Sequence, residues 1–406
     1  MTSEFSKFSF ELINIINSTG KEARFVGGCV RDSLIGRPFT DIDIATNMLP
    51  NDTESLLKKN GIKTFPTGIK HGTITAVKNH ESIEITTLRQ DINCNGRHAE
   101  IEFTDKWQED AARRDFTFNA IYIDADGKLY DYFNGIDDIN SGIIRFIKDP
   151  DERIKEDYLR ILRFFRFSAH YSKDINNMDN DVLSIISDNA SGLDKISAER
   201  IKIELFKLIM SEQSPIILNY MERCNVINRV LPIDHFRIQN LYNLISLDNN
   251  VNYLTRLACL ISEKPHNNII IADKYLALSN TEKKYLKNIL EPKCEITFDM
   301  SVSEQKSAIR LLGAKEYKNI LLLLASDPDI FNGSNIRDKL RKLLSFADNW
   351  IVPRFPLKGV DLLKIGLNEG KEIGDLLKKA EDYWETKEYN MTKDELLEYL
   401  GIETCT

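Results

Sequence analysis

The chain of 406 residues is poor in several things, and each shortage removes a class of function. It has no long apolar run: Ile320-Leu321-Leu322-Leu323-Leu324-Ala325 is among the longest, where a membrane helix needs about 20 such residues. The cysteines at 29, 94, 224, 259, 294 and 405 are scattered and form no Cys-x-x-Cys. That argues against a zinc ribbon or a disulfide framework and fits a reducing compartment. The histidines at 71, 80, 98, 170, 235 and 266 show no metal-ligand spacing, and none is followed by Asp. There is no Ser-His-Asp signature and no Gly-x-x-x-x-Gly-Lys-Ser/Thr phosphate loop. Positive charge is not in excess: 54 Lys and Arg stand against 62 Asp and Glu, a net charge of −8. A generally basic nucleic-acid coat is thereby excluded, though a local basic track is not. The N-terminus lacks a basic then apolar leader. Residues 1–17 read instead as an amphipathic helix with Phe5, Phe8, Leu12, Ile13 and Ile16 on one side. Together these point to a cytoplasmic protein with no membrane span. No fixed-period repeat and no low-complexity segment appears.

What is present is ordinary globular composition, 29% charged and 42% hydrophobic, in a chain long enough for two to four domains. Residues 1–150 mix short apolar strands with turn signals and read as α/β or α+β. Thr73–Val77 and Ser82–Leu88 read as a hairpin around residues 78–81. Ala120–Asp124 reads as a strand, and Asp126-Gly127 turns it into residues 128–132. The polar stretch 89–104, with Asn93, Asn95 and Gly96, is expected to be a long mobile loop. From Asp151 onward strand signals nearly vanish, and helical periods run through 153–170, 180–190, 197–211, 214–229, 238–246, 252–262, 281–290, 302–312, 315–326, 335–348, 358–366, 370–387 and 393–400.

One stretch joins two chemically meaningful pieces. Gly27-Gly28 lies between a short apolar strand and an expected helix, and Asp41-Ile42-Asp43 follows after Gly36-Arg37-Pro38. On a strand, Asp41 and Asp43 project to one face while Ile42 and Ile44 face the core. Adjacent carboxylates repel unless a cation lies between them. Glycines reach positive φ cheaply and let backbone N–H groups approach an anion. A triphosphate with Mg²⁺ suits both pieces. Each piece alone has a plainer explanation, a turn and a solvated strand end.

Three further segments bear on the choice. Glu84 is expected on a neighbouring strand, where a third carboxylate would complete a two-metal site for phosphoryl transfer. Arg113-Arg114-Asp115, with Asn119, offers guanidinium forks for phosphates and polar groups for a ribose. A charged helix cap explains it equally well. Glu156, Asp157, Arg160 and Arg163 fall on one expected helix. There an Asp acceptor beside an Arg donor could address the edge of a base, with Glu156 holding the Arg. An ion-paired wet face is the alternative, though three arginines among four aromatics (residues 158–167) are unusual for one. Ser197-Ala198-Glu199-Arg200 reads as a helix start, with Ser197 as its cap, supporting the 157/160 helix.

These segments resemble, in order, the motifs of bacterial class II tRNA nucleotidyltransferases, the CCA-adding enzymes, and of the related poly(A) polymerases. Gly27-Gly28-x-Val30-Arg31-Asp32 through Asp41-x-Asp43 resembles the first motif. Arg113-Arg114-Asp115-Phe116-Thr117-x-Asn119-Ala120 resembles the second, and Asp131-x-x-x-Gly135-x-x-Asp138 the head–neck hinge. Glu156-Asp157-x-x-Arg160-x-x-Arg163-Phe164 resembles the amino-acid template that selects the base, and Ser197-x-Glu199-Arg200 the last neck motif. Pro356-Leu357-x-Gly359-x-Asp361-Leu362-Leu363-x-x-Gly366 resembles a segment common in bacterial members. Cys29 stands where a small or apolar residue is common.

The resemblance implies an α+β protein. A polymerase-β-like nucleotidyltransferase head over 1–150 carries a small mixed sheet. An all-α neck (151–212), body (213–300) and tail (301–406) follow. It implies Mg²⁺ at Asp41 and Asp43; Glu84 is the third catalytic carboxylate that the residue pattern itself suggests. Gly27, Gly28, Arg31, Arg113, Arg114, Asp115 and Asn119 would hold the nucleotide, and Glu156, Asp157, Arg160 and Arg163 would select its base. CTP and ATP are the expected substrates and the acceptor arm of tRNA, at its 3′ end, the expected partner, with no DNA and no nucleic-acid template. Lys202, Lys207, Arg337, Lys339, Arg341, Lys342, Arg354 and Lys358 are candidates for a phosphate-reading track. The alternative within the family is an A-adding enzyme or poly(A) polymerase. A CC-only enzyme ranks last, because the 89–105 stretch reads as an intact loop. A non-catalytic RNA-binding module lacks a reason to keep all three carboxylates, and a small-molecule nucleotidyltransferase has no need of the long helical remainder. The missing His-Asp argues against a fused metal phosphohydrolase.

Overall fold

A computed structural model describes residues 5–95, 98–365, 367 and 370–402. The chain forms two compact units, Met1–Asp234 with Ile270–Leu278 and His235–Ile269 with Ser279–Thr406.

The first unit is built on a sheet of seven strands: β1 (Ala23–Val26), β2 (Asp43–Thr46), β3 (Lys63–Gly68), β4 (Thr73–Lys78), β5 (Glu81–Thr87), β8 (Ile121–Ile123) and β9 (Leu129–Asp131). Their order is β3-β4-β5-β2-β1-β8-β9. β2 and β5 run parallel and every other neighbouring pair antiparallel. β1 sits inside the sheet and is buried along its whole length. The β4–β5 hairpin forms as expected, turning on Asn79 and His80 at φ +52° and +67°, the left-handed pair that matches strand twist.

Helix α1 (Lys7–Asn17) lays Phe8, Leu12, Ile13 and Ile16 into the core and packs with α3 (Pro50–Lys59), while α2 (Gly28–Leu34) follows β1. Val26, Ala45 and Tyr122 of the sheet, with Ala120 just before β8, meet Trp107 and Ala111 of α4 (Trp107–Ala112) in one cluster. A short α5 (Gly135–Ser141) closes the head. Four helices then follow: α6 (Pro150–Glu156), α7 (Leu159–Tyr171), α8 (Asn180–Asn189) and α9 (Ala198–Ile209). Phe167 of α7 meets Phe116 and Phe118 edge to face, and Phe164 stacks on Phe146, with ring centroids 5.3–5.7 Å apart. The aromatics of this helix are therefore its core side, and Arg160, Arg163 and Arg166 reach buried or half-buried carboxylates.

Four expectations are corrected. Arg89–Asn95 and His98–Phe103 are not a loop but two antiparallel strands, β6 and β7. Their sequence alternates polar with Ile92, Cys94, Ala99, Ile101 and Phe103, a strand period masked by polar content; Gly96 lies outside the described residues. The helix expected over 153–170 is broken: Asp157 is extended at φ −153°, ψ 104° between α6 and α7. The helix expected over 214–229 is interrupted at Asn225, φ +53°, between Ser214–Arg223 and Ile227–Val230. A helix at Pro265–Leu276 was not anticipated, because Pro265 reads as a stop although proline is welcome in a first turn.

The second unit is helical among the described residues. Arg256, wholly buried, donates to the Asn249 carbonyl at 2.7 Å and its Oδ1 at 2.8 Å, so one guanidinium satisfies the turn ahead of Tyr253–Ile261. Ser279/Glu282, Ser301/Glu304 and Thr392/Glu395 form capping boxes. Leu357, Leu362, Ile373, Ala380, Trp384, Tyr389, Leu396 and Leu397 form a terminal core; Gly366 of the tail segment lies outside the described residues. No helix among the described residues is long and apolar enough to cross a membrane.

Candidate active site

β1 delivers the chain to Gly27, which sits at φ +79°, ψ −130°, a conformation closed to side-chain-bearing residues. A Cβ built there would lie 3.6 Å from Arg114 Nη1 and 3.9 Å from Asp43 Oδ2. Gly27, Asp43 and Arg114, spread over 87 positions of the chain, thus face one space. On Gly28 a Cβ would meet Arg31 Nη2 at 3.7 Å.

Asp43 opens β2 and pairs with Glu84 on parallel β5. Register partners on parallel strands project to the same face, so the two carboxylates stand side by side. Asp41, expected on the strand beside Asp43, lies instead in the irregular segment before it. The reason is the lack of a neighbour: β1 pairs only as far as Phe25 with Ile44 before the chain leaves at Gly27. The alternation nevertheless persists, with Ile42 and Ile44 buried and Asp41 exposed. Burial, and next the Glu84 charge, push the Asp43 carboxyl above its ordinary value; Arg114 pulls it back, and Asp41 adds to the rise. Among the described residues no group of three His, Cys, Asp or Glu gathers as a closed metal cage. The donor set is an open one of neighbouring carboxylates.

The arginine pair is held from below by Asp110, which is 1% exposed. It accepts from Arg113 at 2.8 Å, Arg114 at 3.2 Å and the Tyr122 hydroxyl at 2.7 Å. Burial would raise the Asp110 carboxyl, but the two guanidiniums and these bonds outweigh it and bring it to about 2. The sequence signal for Asp110 is its i, i+3 and i, i+4 spacing to Arg113 and Arg114.

Asp115 belongs to a different chain of contacts. Its Oδ1 accepts from Phe116 N–H at 2.9 Å and Asn119 Nδ2 at 3.0 Å, and its Oδ2 from Arg163 at 2.6 Å. Arg31 donates to Asn119 Oδ1 at 2.8 Å, pairs with Asp32 at 2.8 Å and stacks on Tyr171 of α7 at 4.4 Å. Burial raises the Asp115 carboxyl, but Arg163, Asn119 and the Phe116 amide carry it down to about 2. Four of the expected nucleotide-binding residues, Arg31, Asn119, Asp115 and the half-buried Arg163, form one polar line that ends on α7. Glu204 of α9 was missed: it accepts from Arg163 at 3.4 Å and Arg166 at 2.5 Å.

Glu156, Asp157 and Arg160 flank the break between α6 and α7. Glu156 pairs with Arg160 at 2.5 Å, as the spacing implied. Asp157 does not face Arg160 as a helical neighbour. It accepts from the Leu159 N–H at 3.2 Å, capping α7, and from Arg200 at 2.6 Å. The next residue, Tyr158, lies so close on Gly192 that a Cβ there would be 2.0 Å from its ring. Tertiary partners thus hold the break open, where helical periodicity alone runs straight through. Arg200 supports this segment as expected, while Ser197 stands at the N-cap of α9 without a side-chain capping bond. Of the track candidates, Lys202 donates to the Ala277 carbonyl, Lys339 pairs with Asp299 and Arg341 with Asp338.

With this geometry in place, comparisons with known proteins are specific. Residues 23–145 match the model of the poly A polymerase head domain, and residues 177–234 that of a probable RNA and SrmB-binding site of polymerase A. The chain is 34% identical to the mitochondrial CCA tRNA nucleotidyltransferase 1 of Danio rerio over 96% of its own length and 89% of that protein. It is 31% identical to the CCA-adding enzyme of Staphylococcus epidermidis, over 98% of both. The crystal structure of the Bacillus stearothermophilus CCA-adding enzyme in complex with CTP superimposes with a TM-score of 0.75 at 26% identity, covering 96% of this chain and 94% of that one. A mixed-sheet head with a continuous helical remainder, matched end to end by such proteins, places the chain in the CCA-adding tRNA nucleotidyltransferase family.

Proposed function

We propose that this chain builds the CCA end of tRNA without a nucleic-acid template, taking CTP twice and ATP once. The observation that carries the reading is the pairing of Asp43 with Glu84 beside Gly27 and Arg114, in a chain whose neck presents Asp157 and Arg160. CCA-adding enzymes are nucleotidyltransferases that generally use a divalent metal. The residues here fit one: Asp43 and Glu84 stand side by side on parallel strands with Asp41 two residues ahead, and Mg²⁺ favours one or two carboxylates completed by substrate phosphates. We assign Mg²⁺ to Asp41 and Asp43. When bound, it lowers the cost of ionising the tRNA 3′-hydroxyl and of the charge that develops on the leaving oxygen.

The chain's own residues do the rest. Gly27 and Gly28 leave room for the triphosphate against the backbone. Arg113 and Arg114, aligned by Asp110, face its oxygens. The 3′-hydroxyl oxygen attacks the α-phosphorus, the α–β phosphoanhydride bond breaks, and pyrophosphate leaves with its charge held by the arginine forks. Glu84 keeps negative charge beside Asp43. Asp115, Asn119 and Arg31 face the ribose. Because both Asp115 oxygens already accept bonds, a 2′-hydroxyl joins or replaces one of them. Asp157 and Arg160 meet the Watson–Crick edge, with Glu156 orienting Arg160 and Arg163 tying α7 to Asp115. The division into head (1–150), neck (151–212), body (213–300) and tail (301–406) is part of this proposal, with RNA held by neck, body and tail. So is a cytoplasmic setting, supported by the free thiols of Cys29, Cys224, Cys259 and Cys294.

The test is incubation with tRNA lacking its CCA end, with CTP alone, ATP alone and both. Two cytidines with CTP alone, and a completed CCA with both, are expected. Incorporation of ATP but not CTP overturns the proposal in favour of an A-adding or poly(A) polymerase.

A further inference from the structure

Arg153 lies outside every motif that the sequence analysis singled out, yet it is 3% exposed and sits where the two halves of the site meet. Its Nη2 donates to the backbone carbonyls of Arg113 and Arg114 at 2.6 and 2.7 Å. Its Nη1 is paired with a Glu156 carboxylate oxygen. That same oxygen accepts from Arg160 at 2.5 Å, and Arg160 also donates to the Arg153 carbonyl at 2.6 Å. One planar guanidinium therefore grips the backbone of the arginine pair from the head. Through a shared carboxylate it also grips the base-selecting arginine in the neck.

We propose that Arg153 is a positioning residue that sets the distance between the triphosphate subsite and the base-reading subsite, and so sets base discrimination. The inference rests on the assignment of Arg113 and Arg114 to the triphosphate and of Asp157 and Arg160 to the base. A nucleotide held at both ends reports any mismatch in span as lost selectivity, since only a base whose edge meets Asp157 and Arg160 at the right reach is favoured. Geometry at this scale matters: a displacement of about 1 Å from a residue outside the chemistry costs up to about 100-fold. Lysine does not replace the fork, because a point charge cannot serve two carbonyls and a carboxylate in one plane.

The experiment compares kcat/KM for CTP and UTP in the first addition to tRNA lacking CCA. Arg153→Lys, with Arg153→Gln as a second variant, is set beside Glu156→Gln, the Arg153→Lys/Glu156→Gln double variant and Arg160→Ala. Melting temperatures are recorded for each. Arg153→Lys is expected to lower CTP efficiency by about 10- to 100-fold and UTP efficiency far less, so that the CTP/UTP preference drops by about tenfold or more. Because Glu156 is shared, the double variant is expected to lose no more preference than the worse single one. Equal proportional losses for CTP and UTP in the folded Arg153 variants, or losses that multiply in the double variant, overturn the proposal. Arg160→Ala separates the levels. Unchanged preference there removes the base-reading assignment itself, whereas a fall there without one in the Arg153 variants removes only the positioning role.

Discussion

Asp110→Asn is the substitution whose consequences the structure specifies most fully. The side chain keeps its shape and loses its charge, leaving Arg113 and Arg114 beside a neutral amide in a site where the carboxylate is 1% exposed. Ionisation at about 2 instead of 3.8 corresponds to about 2 kcal/mol at 1.36 kcal/mol per pK unit. Leaving a buried ion pair without one partner costs about 3–5 kcal/mol. The expected loss is therefore about 2–5 kcal/mol, a fall of roughly 5–15 °C in the melting temperature of a unit this size. The pH dependence identifies the cause. A carboxylate whose pKa is depressed on folding stabilises the protein above its unfolded pKa of 3.8, and that stability is lost as pH falls towards about 2. The gap between wild type and Asp110→Asn should be constant from pH 7 to pH 5 and about half gone at pH 3. Urea melts of both proteins at pH 7, 5 and 3 measure it. The same gap at pH 3 as at pH 7 would refute the electrostatic account and leave only packing.

Gly27→Ala places a methyl group 3.6 Å from Arg114 Nη1 on a backbone at φ +79°, a strain of about 1–2 kcal/mol; nucleotide incorporation should fall at least about 100-fold while far-UV circular dichroism is unchanged. Asp43→Asn relieves a carboxylate that burial and Glu84 disfavour, so thermal melting should show equal or higher stability while transfer is abolished; a clear drop in melting temperature would contradict this. Gly192→Ala forces a Cβ to within 2.0 Å of the Tyr158 ring and should cost about 1–3 kcal/mol by overpacking, with lower CTP and ATP incorporation; adding Tyr158→Leu should recover stability, and no recovery would show that the ring is not the obstacle.

The parts of the fold legible in the sequence are those set by local pattern. The β4–β5 hairpin, the amphipathic α1 and the glycine turn after β1 each carry their signal within a few residues. The pairing of Asp43 with Glu84 carries none. Parallel strands need a crossover, and the chain between them folds into α3, β3 and β4 before returning. The break at Asp157 was equally invisible. Its neighbours Leu159–Tyr171 continue the helical period, and what stops the helix is Arg200 and Gly192, tens of residues away. The Arg89–Asn95 and His98–Phe103 strands were read as a loop because polar residues outweighed a true alternation. Asp110, Arg153 and Glu204 were missed for a shared reason: a buried charge is identified by its partners, and those partners are remote in the chain.

Helix α7 is joined to the sheet-bearing part of its unit by two layers of different physics. Phe116, Phe118, Phe146, Phe164 and Phe167 form an aromatic layer whose burial is favourable wherever the rings find contact. Beside it runs the line Arg31, Asn119, Asp115, Arg163, Glu204 and Arg166, in which each carboxylate serves two or more donors. Buried ion pairs of this kind add little net stability over apolar residues of the same size. Stability therefore does not account for them, whereas register does. Rings slide and re-pack at small cost, but the Arg163 Nε and Nη2 contacts to the single Asp115 Oδ2, each at 2.6 Å, have one good geometry, and a shift of one helical turn would strand both charges. The aromatic layer holds α7 on the head, and the polar line decides where along the head it stops. Replacing Arg163 and Asp115 together by Met and Leu separates the two. Melting temperature should be nearly retained while CTP and ATP incorporation falls, and a double variant of full activity would show that the aromatic layer alone sets the register.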